Sequence, residues 1–101
     1  MLGDLETAVM EILWAHPDQG MTVRDAHERL VPQRELAYTT VMTVLDRLSK
    51  KGIVHRELEG RAWLYRPAQA RADLVVGEIR DLLGWLSPEE RAQVLAQLSS
   101  D

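Results

Sequence analysis

Apolar residues recur along the first half of the chain at the spacing of a helix. Leu5, Ala8, Val9, Ile12 and Leu13 make one stripe from Asp4 to Ala15, with Glu6 and Glu11 off it. Pro17-Asp18-Gln19-Gly20 supplies turn residues that end this helix. A second helix is expected after Thr22, which can serve as N-cap with Asp25 at the third helical position, and it stops before Pro32. The third is predicted over Tyr38 to Lys51, closed by Gly52. Val41, Val44, Leu45 and Leu48 form its buried stripe, while Thr39, Thr43, Asp46 and Lys50 lie opposite, with Met42 and Arg47 at the two edges. Ala37 offers no capping oxygen, so the start of this helix is poorly marked.

Beyond Gly52 the period changes from helical to alternating. Ile53–Leu58 and Ala62–Arg66 read as two short strands joined at Gly60, which can take the positive φ a hairpin needs, and Pro67 ends the pairing. Trp63 and Tyr65 share a face of the second strand, and Trp63 is read as core packed on the third helix. From Ala70 to Trp85 the chain is helical again, with Leu74, Val75, Val76, Ile79, Leu82 and Leu83 covering more than one stripe. Ser87, Pro88 and Glu90 form a capping box for a last helix that runs through Val94, Leu95 and Leu98. The order of elements is that of a mostly α fold with a small β-hairpin wing. It divides into a winged helix-turn-helix domain over 1–67 and a helical arm over 68–101.

Charge sharpens this picture. The net charge of −4 is unlike that of a nucleic-acid binder, but its distribution is uneven. Residues 34–66 carry seven basic and four acidic side chains, and the segments on either side are acidic. One positive face on nucleic acid, with the rest repelled from it, fits that pattern. The three threonines Thr39, Thr40 and Thr43 are poor helix formers. Their methyl groups suit thymine methyls, and their hydroxyls suit phosphates or base edges. Arg47, Lys50 and Lys51 would hold phosphates, or Arg47 would reach a guanine; Arg56 and Arg61 would serve on the hairpin. Asp46 either pairs with Lys50 or accepts from a cytosine amine.

Catalysis finds no foothold. A Gly-rich phosphate loop, a nucleophile elbow and paired metal ligands are all missing, and His16, His27 and His55 fall in a turn, a helix and a strand. Neither an enzyme, a cofactor nor a metal is expected. Cysteine is absent, which excludes disulfides and thiolate metal sites. No apolar run approaches the ~18 residues of a membrane span, and Met1-Leu2-Gly3-Asp4 lacks the features of a secretory signal, so the cytoplasm is expected. The Ser99-Ser100-Asp101 ending reads as a natural terminus.

The stretch Ala37-Tyr38-Thr39-Thr40-Val41-Met42-Thr43-Val44-Leu45-Asp46-Arg47-Leu48-Ser49-Lys50-Lys51-Gly52 resembles the recognition helix of the BlaI/MecI penicillinase-repressor family. Leu2-Gly3-Asp4-Leu5-Glu6 with Met10 and Trp14, Val23-Arg24, and Trp63-Leu64-Tyr65 are similar to other parts of that family. The resemblance covers residues 2–67. It implies a homodimeric repressor on an inverted-repeat operator of the TACA–TGTA type. Known members regulate β-lactamase or penicillin-binding-protein genes, and so antibiotic resistance, beside a membrane sensor protease or antirepressor system. By position it carries Thr39, Thr40, Met42, Thr43 and Arg47 to the major groove and Arg61 to the wing, and Tyr38 is counted with them as DNA-binding. Family members are inactivated by cleavage at an Asn-Phe bond, and this sequence has neither residue. The copper-sensing branch uses C-terminal cysteines, which are also absent. The region after Pro67 is shorter than in those repressors.

Dimerisation is expected through Val75, Val76, Ile79, Leu82, Leu83, Trp85, Val94, Leu95 and Leu98, the other possibility being that these pack back on the chain's own wing. Two further readings stand beside the repressor: a winged-helix protein-interaction module without DNA binding, and a small-ligand sensor with a pocket under Trp63 and Trp85.

Overall fold

The computed structural model describes residues 2–100. Its elements are α1 (Asp4–Ala15), α2 (Val23–Leu30), α3 (Tyr38–Lys50), β1 (Val54–Glu59), β2 (Ala62–Pro67), α4 (Arg71–Leu83) and α5 (Pro88–Leu98). They fall into two compact units that divide between Arg71 and Ala72.

The first unit is built around three helices. Val9, Met10 and Leu13 of α1, Ala26 and Leu30 of α2, and Val41, Leu45 and Leu48 of α3 are at most 2% exposed and form the core with Val44, Val54 and Tyr65. Each fully buried aliphatic side chain contributes about 1.5–3 kcal/mol of transfer free energy. Thr22 caps α2 as expected: its hydroxyl accepts the Asp25 N–H at 3.1 Å, and the Asp25 carboxylate accepts the Thr22 N–H at 3.2 Å. Glu6 lies off the apolar stripe of α1, yet its side chain is only 15% exposed and not turned to solvent. It is covered because it accepts hydrogen bonds from both the Gly3 N–H at 3.1 Å and the Lys51 ammonium.

Helix α3 ends one residue early, and β1 starts one residue late. Both shifts have one cause, a Schellman closure. Gly52, at φ 76, donates to the Ser49 carbonyl at 3.0 Å, and the Ile53 N–H returns to the Leu48 carbonyl at 2.9 Å. Ile53 is thereby used in the helix cap and not in the ladder. The hairpin then pairs from Val54↔Pro67 to Glu59↔Ala62, so Pro67 is the last ladder partner. Gly60, at φ 64, occupies the first of the two turn positions, where a type II′ hairpin favours glycine.

A single-residue bridge flanks the two-stranded sheet. Met21 and Tyr65 exchange two backbone hydrogen bonds of 2.8 Å each. Gly20 permits this approach, since at φ 70 a Cβ would lie 2.9 Å from Leu64 Cγ. Tyr65 fills the core position on β2 at 2% exposure. Trp63, expected in the core, is 42% exposed instead. It lies two residues nearer the hairpin tip, where the apolar surface under the sheet has ended.

Helix α4, which enters the second unit after its first residue, begins at Arg71 and ends at Leu83, short of the expected Ala70–Trp85. The chain turns at once, with Trp85 N–H donating to Leu82 O at 3.2 Å and Leu86 N–H to Leu83 O at 3.1 Å. Arg91 of α5 secures the turn by donating to the carbonyls of Leu83 at 3.2 Å and Leu86 at 3.1 Å. The capping box at Ser87 forms as expected, with Glu90 N–H to Ser87 Oγ at 3.2 Å and Ser87 N–H to Glu90 Oε1 at 3.0 Å. No residue of α4 or α5 is buried. None of the described helices is long and apolar enough to cross a membrane.

Candidate nucleic-acid interface

The turn between α2 and α3 is braced before α3 begins. Nε2 of His27 lies 2.7 Å from the Leu36 carbonyl, and the His27 ring meets Tyr38 edge-on with centroids 5.9 Å apart. The first residue of α3 is thus held against the last turns of α2. Ala37 is the N-cap and makes no side-chain cap hydrogen bond, so the opening turn keeps unsatisfied N–H donors.

With Val41, Val44, Leu45 and Leu48 seated in the core, helical geometry directs the other side outward. Tyr38, Thr39, Thr40, Met42, Thr43, Arg47 and Lys50 are all exposed. Thr43 donates its hydroxyl to the Thr39 carbonyl at 2.9 Å. That bond satisfies the hydroxyl hydrogen within the helix and leaves the hydroxyl oxygen able to accept from a ligand. Among the described residues the side chains of Arg47 and Arg61 make no hydrogen bond or ion pair, so both guanidinium groups have their donors available.

The remaining cations of the proposed face are engaged. Lys50 lies 3.0 Å from Asp46 Oδ2, and Arg56 lies 3.6 Å from Asp46 Oδ1. The sequence left Asp46 between a lysine and a base, and in the structure it pairs with Lys50 and with Arg56. The Arg56 guanidinium sits over the Trp63 ring, 4.4 Å from its centroid. Lys51 is joined to Glu6 at 2.9 Å, a contact between α3 and α1 that periodicity did not signal. That hydrogen bond holds the Glu6 carboxyl below its ordinary pKa of 4.5, with burial opposing and the Gly3 N–H assisting. On the other face of the hairpin Arg66 pairs with Glu57 and donates to the Asp18 carbonyl at 3.3 Å.

The structure also distributes the residues considered for other chemistries. His16 ends α1, His27 lies within α2 and His55 lies on β1. Among the described residues no three His, Cys, Asp or Glu side chains are grouped to hold a metal ion. Trp63 and Trp85 are 42% and 87% exposed, each within its own unit.

Comparison with known proteins meets this arrangement of an outward threonine-rich helix beside a hairpin. The model of the penicillinase repressor family matches residues 2–101. The chain belongs to this family. It is 51% identical over 82 residues to the transcriptional regulator BlaI of Mycobacterium tuberculosis, a match covering 81% of this chain and 59% of that protein. It is 28% identical over 74 residues to the penicillinase repressor of Bacillus licheniformis, covering 73% and 56%. The match to M. tuberculosis BlaI therefore spans less than two thirds of that relative's length.

Among solved structures of the family, the DNA-binding domain of the repressor BlaI superposes with a TM-score of 0.64 at 29% identity, over 72% of this chain and 87% of that one. The monomeric form of Bacillus licheniformis BlaI in complex with the blaP half-operator gives 0.60, with the same identity and coverage. MepR, a transcription regulator of the Staphylococcus aureus multidrug efflux pump MepA, shares the fold over 97% of this chain and 76% of its own, with a TM-score of 0.57 at 24% identity. The mostly helical fold with a two-stranded wing is thus that of the winged-helix regulators.

Proposed function

We propose that this chain is a sequence-specific transcriptional repressor that binds an inverted-repeat operator as a homodimer in the cytoplasm and carries out no catalysis. The outward side of α3 carries this reading: Thr39, Thr40, Met42, Thr43, Arg47 and Lys50 are exposed on a helix whose opposite side is buried. Family membership supports it. In this reading α3 lies in the major groove, with threonine methyls against thymine methyls and Arg47 forked onto a guanine edge. The open N–H donors at the start of α3, together with Tyr38, meet a phosphate, and Lys50 and Lys51 reinforce the backbone contacts. Arg61 at the hairpin tip lies along the backbone or enters the minor groove.

The arm supplies the second half-site. Val75, Val76, Ile79, Leu82, Leu95, Leu98 and Trp85 are exposed large apolar side chains, and Leu83 and Val94 are half-buried. So much apolar surface on two short helices favours a second copy of the chain. Two recognition helices then face half-sites about one helical turn, or a small multiple, apart. A protease or antirepressor that releases the operator is the upstream partner this reading implies.

Fluorescence anisotropy tests it, with a labelled TACA–TGTA inverted repeat beside a scrambled duplex at roughly 0.15 M salt. A preference of about a thousandfold or more is expected. Equal and weak binding to both duplexes would overturn the repressor of this operator class.

A further inference from the structure

Asp46 is the acidic side chain of α3, on a face otherwise made of threonine, methionine and base. A carboxylate there repels phosphates, so its presence calls for a reason. Its two oxygens divide between elements: Oδ2 lies 3.0 Å from Lys50 on the same helix, and Oδ1 lies 3.6 Å from Arg56 on β1. Arg56 continues the chain of contacts onto β2, its guanidinium 4.4 Å from the centroid of Trp63. Carboxylate, guanidinium and indole thus form a bridge from α3 across both strands of the hairpin.

The register explains where this bridge acts. Arg56 pairs with Tyr65 and Leu58 with Trp63, so Arg56 and Trp63 are diagonal neighbours on the face that also carries Val54. Val54 and Tyr65 are each 2% exposed, whereas Trp63 is 42% and Leu58 62% exposed. Apolar packing therefore seats the base of the hairpin on the helical core and stops before its outer half. From there outward the Asp46–Arg56–Trp63 stack takes over the attachment to α3. A guanidinium held between a carboxylate and an indole face is poorly free to serve as a phosphate donor.

We propose that Asp46 and Arg56 are positioning residues for operator recognition, which set the hairpin against α3 so that Arg61 and the recognition helix meet one duplex together. This rests on the DNA-binding reading above. Preorganisation of this kind favours the operator, where both elements must engage in register, and does little for sequence-independent binding, where charge alone suffices.

The test uses the full chain, the TACA–TGTA and scrambled duplexes, and the variants R56K, R56Q, D46N and D46N/R56Q. Lysine keeps the charge of Arg56 but not the planar group that stacks and forks. R56K and R56Q are expected to lose operator affinity alike, by about tenfold, with wild-type salt slopes. D46N is expected to weaken operator binding although it removes a negative charge, and the double variant to be no worse than either single one. In the free protein D46N and R56Q should speed amide hydrogen exchange from Glu57 to Leu64 while leaving Leu45 protected.

Full rescue by R56K, with a salt slope lowered by about one in R56Q, would make Arg56 an ordinary phosphate contact and overturn the bridge. Tighter binding of D46N to both duplexes would reduce Asp46 to a repulsive charge, with the same consequence. Unchanged hairpin exchange in both variants would overturn the bridge whatever the DNA results. A wild-type chain that binds neither duplex would remove the DNA-binding reading itself, and this role with it.

Discussion

The Lys51 ammonium lies 2.9 Å from the Glu6 carboxylate, which joins the end of α3 to the first turn of α1. At 15% exposure the Glu6 side chain has lost most of its water, and Lys51 and the Gly3 N–H replace it. The pair therefore ties the end of α3 to α1 across 45 residues of sequence.

A folded-state pKa below the ordinary 4.5 means that Glu6 stabilises the fold fully above that value and loses its contribution as pH falls through the lowered one. Asp4, held below its ordinary 3.8 by Arg34, acts with the same sign at slightly lower pH. Thermal melts from about pH 3 to about pH 6 should show wild type losing stability more steeply than E6Q below 4.5. Near neutrality E6Q should be less stable by roughly 0.5–1 kcal/mol, a modest figure because Lys51 is half exposed. Parallel curves for the two proteins would mean that the pair is uncoupled from folding.

Replacing Arg47 by alanine should weaken operator binding by about 1–3 kcal/mol. Its side chain is exposed and without a hydrogen bond or ion pair among the described residues, so the melting curve should stay close to wild type. Anisotropy titrations with parallel melts separate the two effects. Retained affinity would remove Arg47 from the DNA contact.

Gly20 and Gly60 both have positive φ, at 70 and 64, but their surroundings differ. A Cβ at Gly20 would meet Leu64 at 2.9 Å and Arg66 at 3.1 Å, whereas one at Gly60 would meet nothing within 4 Å. Urea denaturation should therefore find G60A destabilised by about 1 kcal/mol of backbone strain alone. G20A should cost roughly 1–3 kcal/mol more, because the added methyl also crowds the Leu64 and Arg66 side chains. Equal losses would show that Leu64 and Arg66 yield freely.

Ile79 and Leu82 of α4 are 39% and 61% exposed. Wild type should sediment as a dimer at micromolar concentration, and an I79D/L82D variant should sediment as a monomer and lose most operator affinity. The first unit should melt as in wild type. A wild-type monomer at that concentration would end the dimer proposal.

The helical part of the fold could be read from residues alone, because its signals are local. Val41, Val44, Leu45 and Leu48 announce one face of α3, and Thr22 with Asp25 and Ser87 with Glu90 mark helix starts through bonds spanning three residues. The family resemblance to penicillinase repressors was likewise most specific in one contiguous stretch, Ala37 to Gly52. What escaped were contacts between distant elements. Glu6 looked like a solvent-facing acid because its partner is Lys51, and Trp63 looked like core because nothing in the alternation of β2 says how far the apolar surface extends beneath it. Asp46 could not be assigned without knowing that Arg56 arrives beside it from the hairpin.

Helix α3 keeps its structural duties on one side, in Val41, Val44, Leu45 and Leu48, and leaves Thr39, Thr40, Met42 and Thr43 in solvent. Substitutions at exposed positions away from caps and buried networks usually change stability by only about 0.5 kcal/mol. The residues proposed to read the operator can therefore vary almost independently of those that hold the fold. A duplicated copy of such a chain could acquire a new target sequence through a few changes on that surface, with no intermediate that fails to fold. The separation of the two faces makes the scaffold easy to readdress in evolution, and it gives a designer four positions to randomise when retargeting it.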